Sequence, residues 1–379
     1  MAKIKYEIEL YRLDIVNLKF VRKAKITTFQ NLRYTNVLCG IGECTFELNA
    51  LDPKLTKSNF RERVTQIVIK RNGQIVWFGP YFNYEAQVSE TGGKVTIRAY
   101  SYMFHLTTRY TEKLRYYPPN LKDQAVIARE LIDFVQEKPN GALLILTGNE
   151  TTGVKRERTY QWKQISDALE NFSRVAKGFE FDFEPITSSA GKLTSVKFSI
   201  YYPQKGRLRN DLPPVKLGAG RNVQAFGSAT NGELYNAGYS EGAGEGNDIP
   251  IAIYDTDNLD QEIATKADAL QKAFTRIEVY QPDKEEESQV ELMSTLRGFM
   301  DEKATPATKF NFQLNPKRKP LYGEFGLGDT LVVDVDIRDI VATAGDLLVY
   351  KGSARIYEIA VTYSTNGKET LIPKVIYVE

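Results

Sequence analysis

Two short apolar runs joined by Asn72-Gly73 form the strongest local pattern in the chain. An Asn-Gly pair between apolar runs is typical of a tight β-hairpin turn. Pairing across the turn predicts Ile69 opposite Val76 and Ile67 opposite Phe78 on one face, and Val68 opposite Trp77 and Lys70 opposite Ile75 on the other. Both faces are largely apolar, so the hairpin is predicted to be the middle layer of a sandwich or to be closed on one face by another subunit.

The same two-residue period runs through residues 1–110 and returns in residues 217–379. Apolar residues alternate with polar ones at Cys44, Phe46 and Leu48, and again at Val95, Ile97 and Ala99. Later strands are predicted at 310–314 and 330–335, with a last hairpin at Asn366-Gly367. We therefore predict a β-rich α+β protein with two tube-like antiparallel β domains, barrels or sandwiches, over 1–110 and 217–379.

Residues 111–216 show a helical period and are predicted to form a small α+β insertion domain between Pro118-Pro119 and Pro213-Pro214. One helix should begin at an Asn120 cap, and a second should span about 160–177 with Trp162 on its apolar stripe and Gly178 after its end. In the last domain, helices are predicted over 259–274 and from the capping box Ser288 to Glu291, with Val290, Met293, Leu296 and Met300 on the apolar face of the second.

Charge and hydropathy exclude several classes of function. The chain has 50 basic and 48 acidic residues, and its longest basic run is Lys317-Arg318-Lys319. Nucleic-acid binding as the main function needs a concentrated basic face, which this balance does not supply. No run of 18 apolar residues and no signal-peptide core occur, so we predict neither membrane insertion nor secretion by a signal peptide.

Candidate catalytic and metal-binding residues are few. Cys39, Cys44 and the single His105 cannot close a tetrahedral zinc site without carboxylates, and the cysteines are predicted to be reduced and structural. No nucleophile signature accompanies His105. Asp182 and Glu184 fit the polar face of a strand, although a pair of acids of the glycosidase type cannot be recognised from spacing alone.

Two loops resemble ligand-binding motifs but lack required positions. Gly242 to Gly246 is not followed by the helix start that a phosphate loop needs. The run beginning at Asp255 has Asp260 where a calcium loop needs Gly, and Lys266 where it needs Glu. We therefore predict no catalytic residue, no metal and no cofactor.

The hairpin and its neighbours resemble the opening of bacteriophage tail hub proteins. In that family a Gly-x-x-x-Phe-x-Leu strand, here Gly42 to Leu48, precedes an aliphatic strand, Asn-Gly and an aliphatic-Trp-x-Gly return, here Ile67 to Gly79. A strand then leads to an arginine, here Val95 to Arg109. Segments similar to the family's second β domain follow at Arg221-Asn222-Val223, Glu233 to Asn236 and Gly326 to Thr330.

This resemblance implies a homotrimeric ring at the distal end of a tail tube, assembled in the host cytoplasm and carried in the virion tail. Its implied partners are distal tail and tube proteins, a tip fibre or spike, the tape-measure protein, and genomic DNA that passes through the lumen without sequence-specific binding. Because the chain ends at Glu379, the resemblance also implies a short form whose lytic or receptor-binding function lies on another protein.

A closed ring must bury one sheet face against each neighbour, which the two-sided hairpin fits independently. We therefore predict an oligomer interface at Val68, Ile75 and Trp77 of the hairpin and at Tyr100 and Tyr102 of the next strand. Two other functions stay open at this point. One is a wall-degrading tail hydrolase with paired carboxylates, and the other is a carbohydrate-binding adsorption module built on the aromatic strands.

Overall fold

Antiparallel strands dominate the computed structural model, which describes residues 4–14, 16–90, 92–112, 114–207, 216–218, 221–230, 235–244, 248–255, 277–283, 286, 288–303, 308–336 and 349–378. The first β unit contains a 3-10 helix, Tyr102–Thr108, after its last strand. Its strands are β1 Tyr6–Asp14, β2 Lys19–Ile26, β3 Gln30–Val37, β4 Glu43–Asn49, β5 Thr65–Arg71, β6 Gln74–Ser89 and β7 Gly92–Tyr100.

The insertion and the second β unit follow in chain order. The insertion contains β8 Arg115–Tyr117, α1 Gln124–Glu137, β9 Ile145–Thr147, β10 Arg158–Tyr160, α2 Ile165–Arg174, β11 Glu180–Thr187 and β12 Leu193–Tyr201. The second β unit contains β13 Lys216–Gly218, β14 Val223–Thr230, β15 Ala237–Glu241, β16 Ile251–Asp255, β17 Glu278–Tyr280, α3 Gln289–Lys303, β18 Thr308–Leu314, β19 Thr330–Asp336, β20 Val349–Tyr363 and β21 Glu369–Val378.

One sheet runs through both β units without interruption. Its central path contains eight strands in the order β14-β18-β21-β20-β3-β4-β7-β6, and every pairing along it is antiparallel. The pairing of β20 with β3 joins the two units through backbone hydrogen bonds, with Val361 opposite Tyr34. The two β units therefore form one continuous sheet.

Strand β6 changes partners halfway along its length. Its first half, to Pro80, pairs with β5, and its second half, from Tyr81, pairs with β7. A bulge at Phe82 bends the strand at this point. Gly79 is required beside the bend, because a Cβ there would lie 1.9 Å from the carbonyl oxygen of Tyr100.

Three clusters of buried apolar side chains form the core. The first lies under the continuous sheet and includes Phe46, Ile97 and Phe312. The second lies between the insertion and one face of three strands, β1, β5 and the first half of β6. Elements α1, α2, β11 and β12 of the insertion supply most of its residues. The third is small and packs Ala252 against α3. The insertion thus covers a face of the first β unit within one chain.

The predicted hairpin is present, but its register is only partly as predicted. Asn72 and Gly73 both have positive φ, 50° and 85°, as a two-residue hairpin turn requires. Lys70 lies opposite Ile75 as expected. A bulge at Val76 then shifts the remaining pairs by one residue, so the predicted pairs Ile69–Val76, Val68–Trp77 and Ile67–Phe78 are wrong. The observed pairs are Ile69–Trp77, Val68–Phe78 and Ile67–Gly79.

The helices of the insertion begin later than predicted. Asp123, not Asn120, caps α1, and its carboxylate accepts a hydrogen bond from the Ala125 amide at 2.8 Å. Helix α2 starts only at Ile165, since residues 158–160 form β10. Trp162 therefore lies outside the helix, and its side chain is 64% exposed. Val175 ends this helix, so the predicted stop at Gly178 is also wrong.

Helix α3 confirms the cap at Ser288, whose hydroxyl accepts a hydrogen bond from the Glu291 amide at 3.4 Å. Leu296 and Met300 are buried as expected, but Val290 points to solvent at 75% exposure. The predicted helix over 259–274 and the boundary at Pro213-Pro214 lie outside the described residues. The prediction of a β-rich fold is confirmed, whereas the sheet is open and the described residues contain no closed barrel.

Candidate assembly site

The second half of β6 is a free edge of the continuous sheet. From Asn83 to Ser89 it pairs with β7 on one side, and no described strand pairs with its other side. A free edge presents unpaired backbone N–H and C=O groups, which are a template for another strand. Both faces of this segment are exposed as well, because every residue from Asn83 to Ser89 is solvent-accessible.

Strand β14 is the free edge at the opposite end of the same path. It pairs with β18 alone among the described strands. Because the path holds eight strands and every pairing is antiparallel, its two edge strands run in opposite directions. Bringing the β6 edge of one copy to the β14 edge of another would therefore continue the antiparallel alternation.

The uncovered face of the β6 edge is apolar where the sheet's core face continues. Tyr84 lies opposite Ile97, and Ala86 lies opposite Val95, so Tyr84, Ala86 and Val88 share the core side of the sheet. Tyr84 is nevertheless 63% exposed and Val88 is 67% exposed. Among the described residues, the core thus ends before the sheet does, and the last strand keeps an uncovered apolar face.

The other face of the continuous sheet is largely polar and carries ion pairs. Three ion pairs cross it between neighbouring strands: Arg98 with Glu43 at 3.0 Å, Lys94 with Glu47 at 3.0 Å, and Lys374 with Glu358 at 2.8 Å. Threonines stand between these pairs. Each of these cations has its own counter-charge, so the pairs give the face no large field of one sign.

A buried polar network fastens the two β units beneath the sheet. The Arg71 guanidinium donates two hydrogen bonds to the Glu369 carboxylate, at 2.7 and 2.9 Å, and Tyr6 donates a third at 2.6 Å. The Arg71 guanidinium also lies 4.3 Å above the ring centre of Tyr322. Burial, with the Glu369 carboxylate second, raises the pKa of Tyr6 far above its ordinary value, so its hydroxyl stays a donor.

The insertion is anchored to the second β unit at two places. Arg355 donates to both carboxylate oxygens of Glu180 at 2.6 Å, and Arg207 pairs with Asp329 at 2.8 Å. At the other place Glu291 of α3 accepts from Arg158 at 2.6 Å. Glu291 therefore serves as an anchor and does not complete a reciprocal capping box.

Three of the five residues predicted for the oligomer interface are core residues of the chain itself. Val68 is fully buried, and Trp77 and Tyr102 are each 2% exposed. The insertion and the 3-10 helix cover Val68 and Tyr102, and Tyr102 belongs to that helix and not to β7. Trp77 packs in the first core cluster, because the bulge at Val76 places it opposite Ile69. Ile75 and Tyr100 are half-buried and keep accessible surface. The interface prediction therefore narrows to these two residues.

The free β6 edge was not predicted from sequence. Its signal was present, since Tyr84, Ala86 and Val88 alternate with polar residues over 83–89. That alternation indicates a strand with one apolar face. It cannot indicate that the edge is free, because strand pairing joins residues far apart in the chain.

The residues considered for chemistry have structural surroundings. His105 is half-buried, its Nε2 lies 3.2 Å from the Gln66 side-chain oxygen, and burial lowers its pKa to about 3, with Arg109 and Arg63 adding to the shift. Glu184 accepts hydrogen bonds from Ser199 and Tyr201, and Asp182 pairs with Lys205. The pKa of the Asp182 carboxyl is raised by burial.

Both cysteines are free thiols. Cys44 is fully buried, and burial raises the pKa of Cys39 to about 12. No group of three or more His, Cys, Asp or Glu side chains in the described part of the chain could hold a metal ion. None of the helices described is long and apolar enough to cross a membrane. The calcium-like run from Asp255 to Lys266 and part of the Gly242–Gly246 loop lie outside the described residues.

The fold defined by this continuous sheet and its insertion is that of phage tail proteins. The chain is similar to the 43 kDa tail protein of prophage MuSo2 from Shewanella oneidensis, with TM-score 0.58, 12% identity and 98% of each chain covered. It is similar to the tail protein from Neisseria meningitidis MC58, with TM-score 0.57 and 9% identity over 98% of this chain and 97% of that one.

Prophage tail protein gp18 from Listeria monocytogenes EGD-e has the same fold, with TM-score 0.53 and 10% identity over 98% of this chain and 94% of that one. No protein-family model matches the sequence, and no curated protein matches it either. At these identities the likeness concerns the fold alone. It supports the predicted resemblance to phage tail proteins at the level of the fold.

Proposed function

We propose that the chain is a structural hub of a bacteriophage or phage-like tail, in which three copies form a closed ring at the distal end of the tail tube. The observation that carries this proposal is the eight-strand sheet that spans both β units and ends in two free, oppositely directed edges. The fold shared with phage tail proteins supports the setting.

Closure by the two edges makes a geometric prediction. Three copies would contribute 24 strands to one barrel, which at a strand spacing of about 4.8 Å and a tilt of about 40° is roughly 48 Å across at the backbone. Barrels of 16–18 strands already enclose an aqueous channel. A ring of three copies therefore has room for a passing polymer such as the genome.

The polar face of the sheet would line this channel, because the first core cluster covers the opposite face. Three of its cations, Arg98, Lys94 and Lys374, are held in ion pairs with Glu43, Glu47 and Glu358. Phosphate binding gains from unpaired cations that replace counterions. A lining in which part of the cations are already paired would hold passing DNA less strongly than one in which all of them are free.

The remaining parts of the proposal concern partners and place. The ring would join distal tail and tube proteins, carry a tip fibre or spike, and contact the tape-measure protein. It would be assembled in the host cytoplasm and remain in the virion tail. Its role is structural and not enzymatic, and the anchored insertion would hold the ring's outer side rigid.

The test is the solution mass of the purified chain beside that of one edge variant. Wild type should be a trimer by light scattering, with a ring and a central channel in electron micrographs. Tyr84→Glu with Val88→Glu should be a folded monomer, because carboxylates on the uncovered face oppose burial by a neighbour. Tyr116→Glu with Leu121→Glu, on exposed residues of the insertion, is the matched control and should stay trimeric.

A wild-type monomer at micromolar concentration would contradict the proposed ring. So would a trimer that the edge variant leaves intact. Release of soluble fragments from purified cell walls would favour the hydrolase alternative, and saturable glycan binding by a monomer would favour the adsorption module.

A further inference from the structure

A basic cluster surrounds the start of β14. It consists of Lys216, Arg221, Lys317, Arg318 and Lys319, which come from two segments about a hundred residues apart in sequence. The Asn222 side-chain amide joins these segments by donating to the Lys216 carbonyl at 2.7 Å and to the Lys319 carbonyl at 2.8 Å. The Arg318 guanidinium also donates to the Arg221 carbonyl. The cluster is therefore built by the fold.

Few carboxylates balance this cluster. Among the described residues, Lys319 has an exposed ion pair with Glu324 at 3.5 Å, whereas Lys216, Arg221 and Lys317 have none. An open cavity of about 830 Å³ lies beside the cluster, with Lys216 and Lys319 in its wall, and the two carboxylates in the same wall, Glu324 and Asp329, are paired with Lys319 and Arg207. The chain's overall charge is only +2, so this concentration of cations is local.

The complementary feature lies at the other free edge. The turn between β6 and β7 carries Glu90, which is exposed and has no ion pair among the described residues. Glu85, on the same strand, is exposed and unpaired too. The nearest cation along the hairpin, Lys94, is already paired with Glu47. The tip of this hairpin thus carries one carboxylate, Glu90, that has no counter-charge among the described residues.

We propose that, in the assembled ring, the acidic β6–β7 tip of one copy docks on the basic cluster of the next, with Glu90 against Arg221. The inference rests on the proposed ring. The contact follows from the strand directions, because antiparallel pairing of the two edges places the last residues of β6 beside the first residues of β14. Arg221 lies two residues before β14, and Glu90 lies one residue after β6.

The faces of the two strands restrict the register. Tyr84, Ala86 and Val88 lie on the core side of β6, and Phe226 lies on the core side of β14, where it packs on the first core cluster. Opposite residues of paired strands share a face, so Val88 must meet a core-side residue of β14. Full overlap of the two edge segments then brings Glu90 to the stretch 221–224.

A second copy is the occupant that these observations favour. It presents an unpaired carboxylate at the required position and the required strand direction, neither of which a nucleic acid would supply. Binding of a polyanion to the same cluster is an alternative outcome that the test below can detect, because phosphate contacts weaken with salt in a measurable way.

The test uses cysteine pairs and charge reversal in the full chain. Glu90→Cys with Arg221→Cys should give a crosslink between chains, identified by mass spectrometry of the joined peptides, while Glu90→Cys with Lys368→Cys should not. Glu90→Arg alone and Arg221→Glu alone should each weaken trimer formation on the order of tenfold, because three contacts per ring are lost together. The combined Glu90→Arg and Arg221→Glu variant should recover most of the loss.

The outcomes separate this inference from the ring on which it rests. If wild type does not trimerise, the ring and this contact both fail. If wild type and all three charge variants trimerise equally and the 90–221 crosslink is absent, the contact is wrong and the ring stands. If Arg221→Glu instead abolishes salt-sensitive binding of duplex DNA and leaves trimer formation unchanged, the cluster is a polyanion site and the inference is overturned.

Discussion

The two halves of β6 both carry apolar side chains but have opposite surroundings. The first half contains a continuous apolar run, in which Trp77 is 2% exposed and Phe78 is 7% exposed. The second half alternates apolar and polar residues, and there Tyr84 is 63% exposed and Val88 is 67% exposed. The first half has β5 on one side, and on its other side Asn36 donates a hydrogen bond to the Val76 carbonyl at 3.2 Å. The second half has β7 on one side and a free edge on the other.

A free strand edge indicates an assembly surface better than an apolar residue pattern does. An apolar pattern indicates that a face must be covered, but the chain itself can supply the cover, as the insertion and the 3-10 helix do for Val68 and Phe78 in the hairpin. There the Phe78 ring packs on Tyr102, with 5.3 Å between ring centres. A free edge with an uncovered core face has no such cover among the described residues, and so it is the stronger indication of a neighbour.

The largest loss of stability is expected in the hairpin formed by β5 and the first half of β6. Val68→Glu with Ile75→Glu should unfold the first β unit, because Val68 is fully buried and an unpaired carboxylate there costs several kcal/mol. Circular dichroism and thermal melting of the purified variant measure this. Glutamates on the second half, Tyr84→Glu with Val88→Glu, should leave a folded chain with a cooperative melting transition, lowered only by the stability that trimer formation adds.

A folded Val68→Glu, Ile75→Glu variant with a normal melting curve would contradict the burial of the first half. If that variant were a folded monomer, the hairpin itself would be the interface. The assignment of the interface to the second half of β6 would then be wrong.

The second effect concerns the buried network of Arg71, Glu369 and Tyr6, which fastens the two β units beneath the sheet. Glu369→Gln should lower the free energy of unfolding by about 3–5 kcal/mol, because it leaves the buried Arg71 guanidinium without its counter-charge. Urea denaturation measures the loss. Glu358→Gln is the control on the same sheet, and since its partner Lys374 is a third exposed, the loss should stay below about 1 kcal/mol. Equal losses in the two variants would show that the network does not join the units.

A smaller, pH-dependent effect is expected at His105, which packs on Tyr102 beside the first half of β6. Its pKa in the fold is about 3, below the unfolded value of about 6.5. Below about pH 6.5 the unfolded chain binds a proton that the folded chain does not, so stability contributed by the neutral ring is lost as pH falls toward 3. His105→Gln should therefore lose less stability than wild type between pH 7 and 4, measured by urea denaturation. Parallel curves for the two proteins would contradict this.

Much of the fold could be predicted because its signals are local. The Asn72-Gly73 turn, the alternation at Cys44, Phe46 and Leu48 and the Ser288 cap each depend on neighbouring residues, and all three are present. The errors arose where a single residue changes the outcome. The bulge at Val76 shifted a register, and the short strand Arg158–Tyr160 replaced the predicted first turn of a helix.

The assembly site could not be predicted to the same degree. The prediction of an apolar hairpin with two covered faces was sound, but which partner covers each face depends on contacts such as Val68 with the insertion. Ile75 and Tyr100 keep accessible surface and stay predictions for an interface. That β6 ends as a free edge depends on which strands pair across the two β units, and no local pattern contains that information.

Amide hydrogen exchange on the second half of β6 is the most direct test of edge-to-edge closure of the ring. The wild-type ring should be compared with the Tyr84→Glu, Val88→Glu monomer at equal protein concentration. The amides of 83–89 and 223–230 that do not bond to β7 or β18 should be protected together in the ring and exchange rapidly in the monomer, while the amides of 74–80 that bond to β5 should be protected in both. A trimer in which 83–89 and 223–230 exchange as fast as in the monomer would contradict edge-to-edge closure.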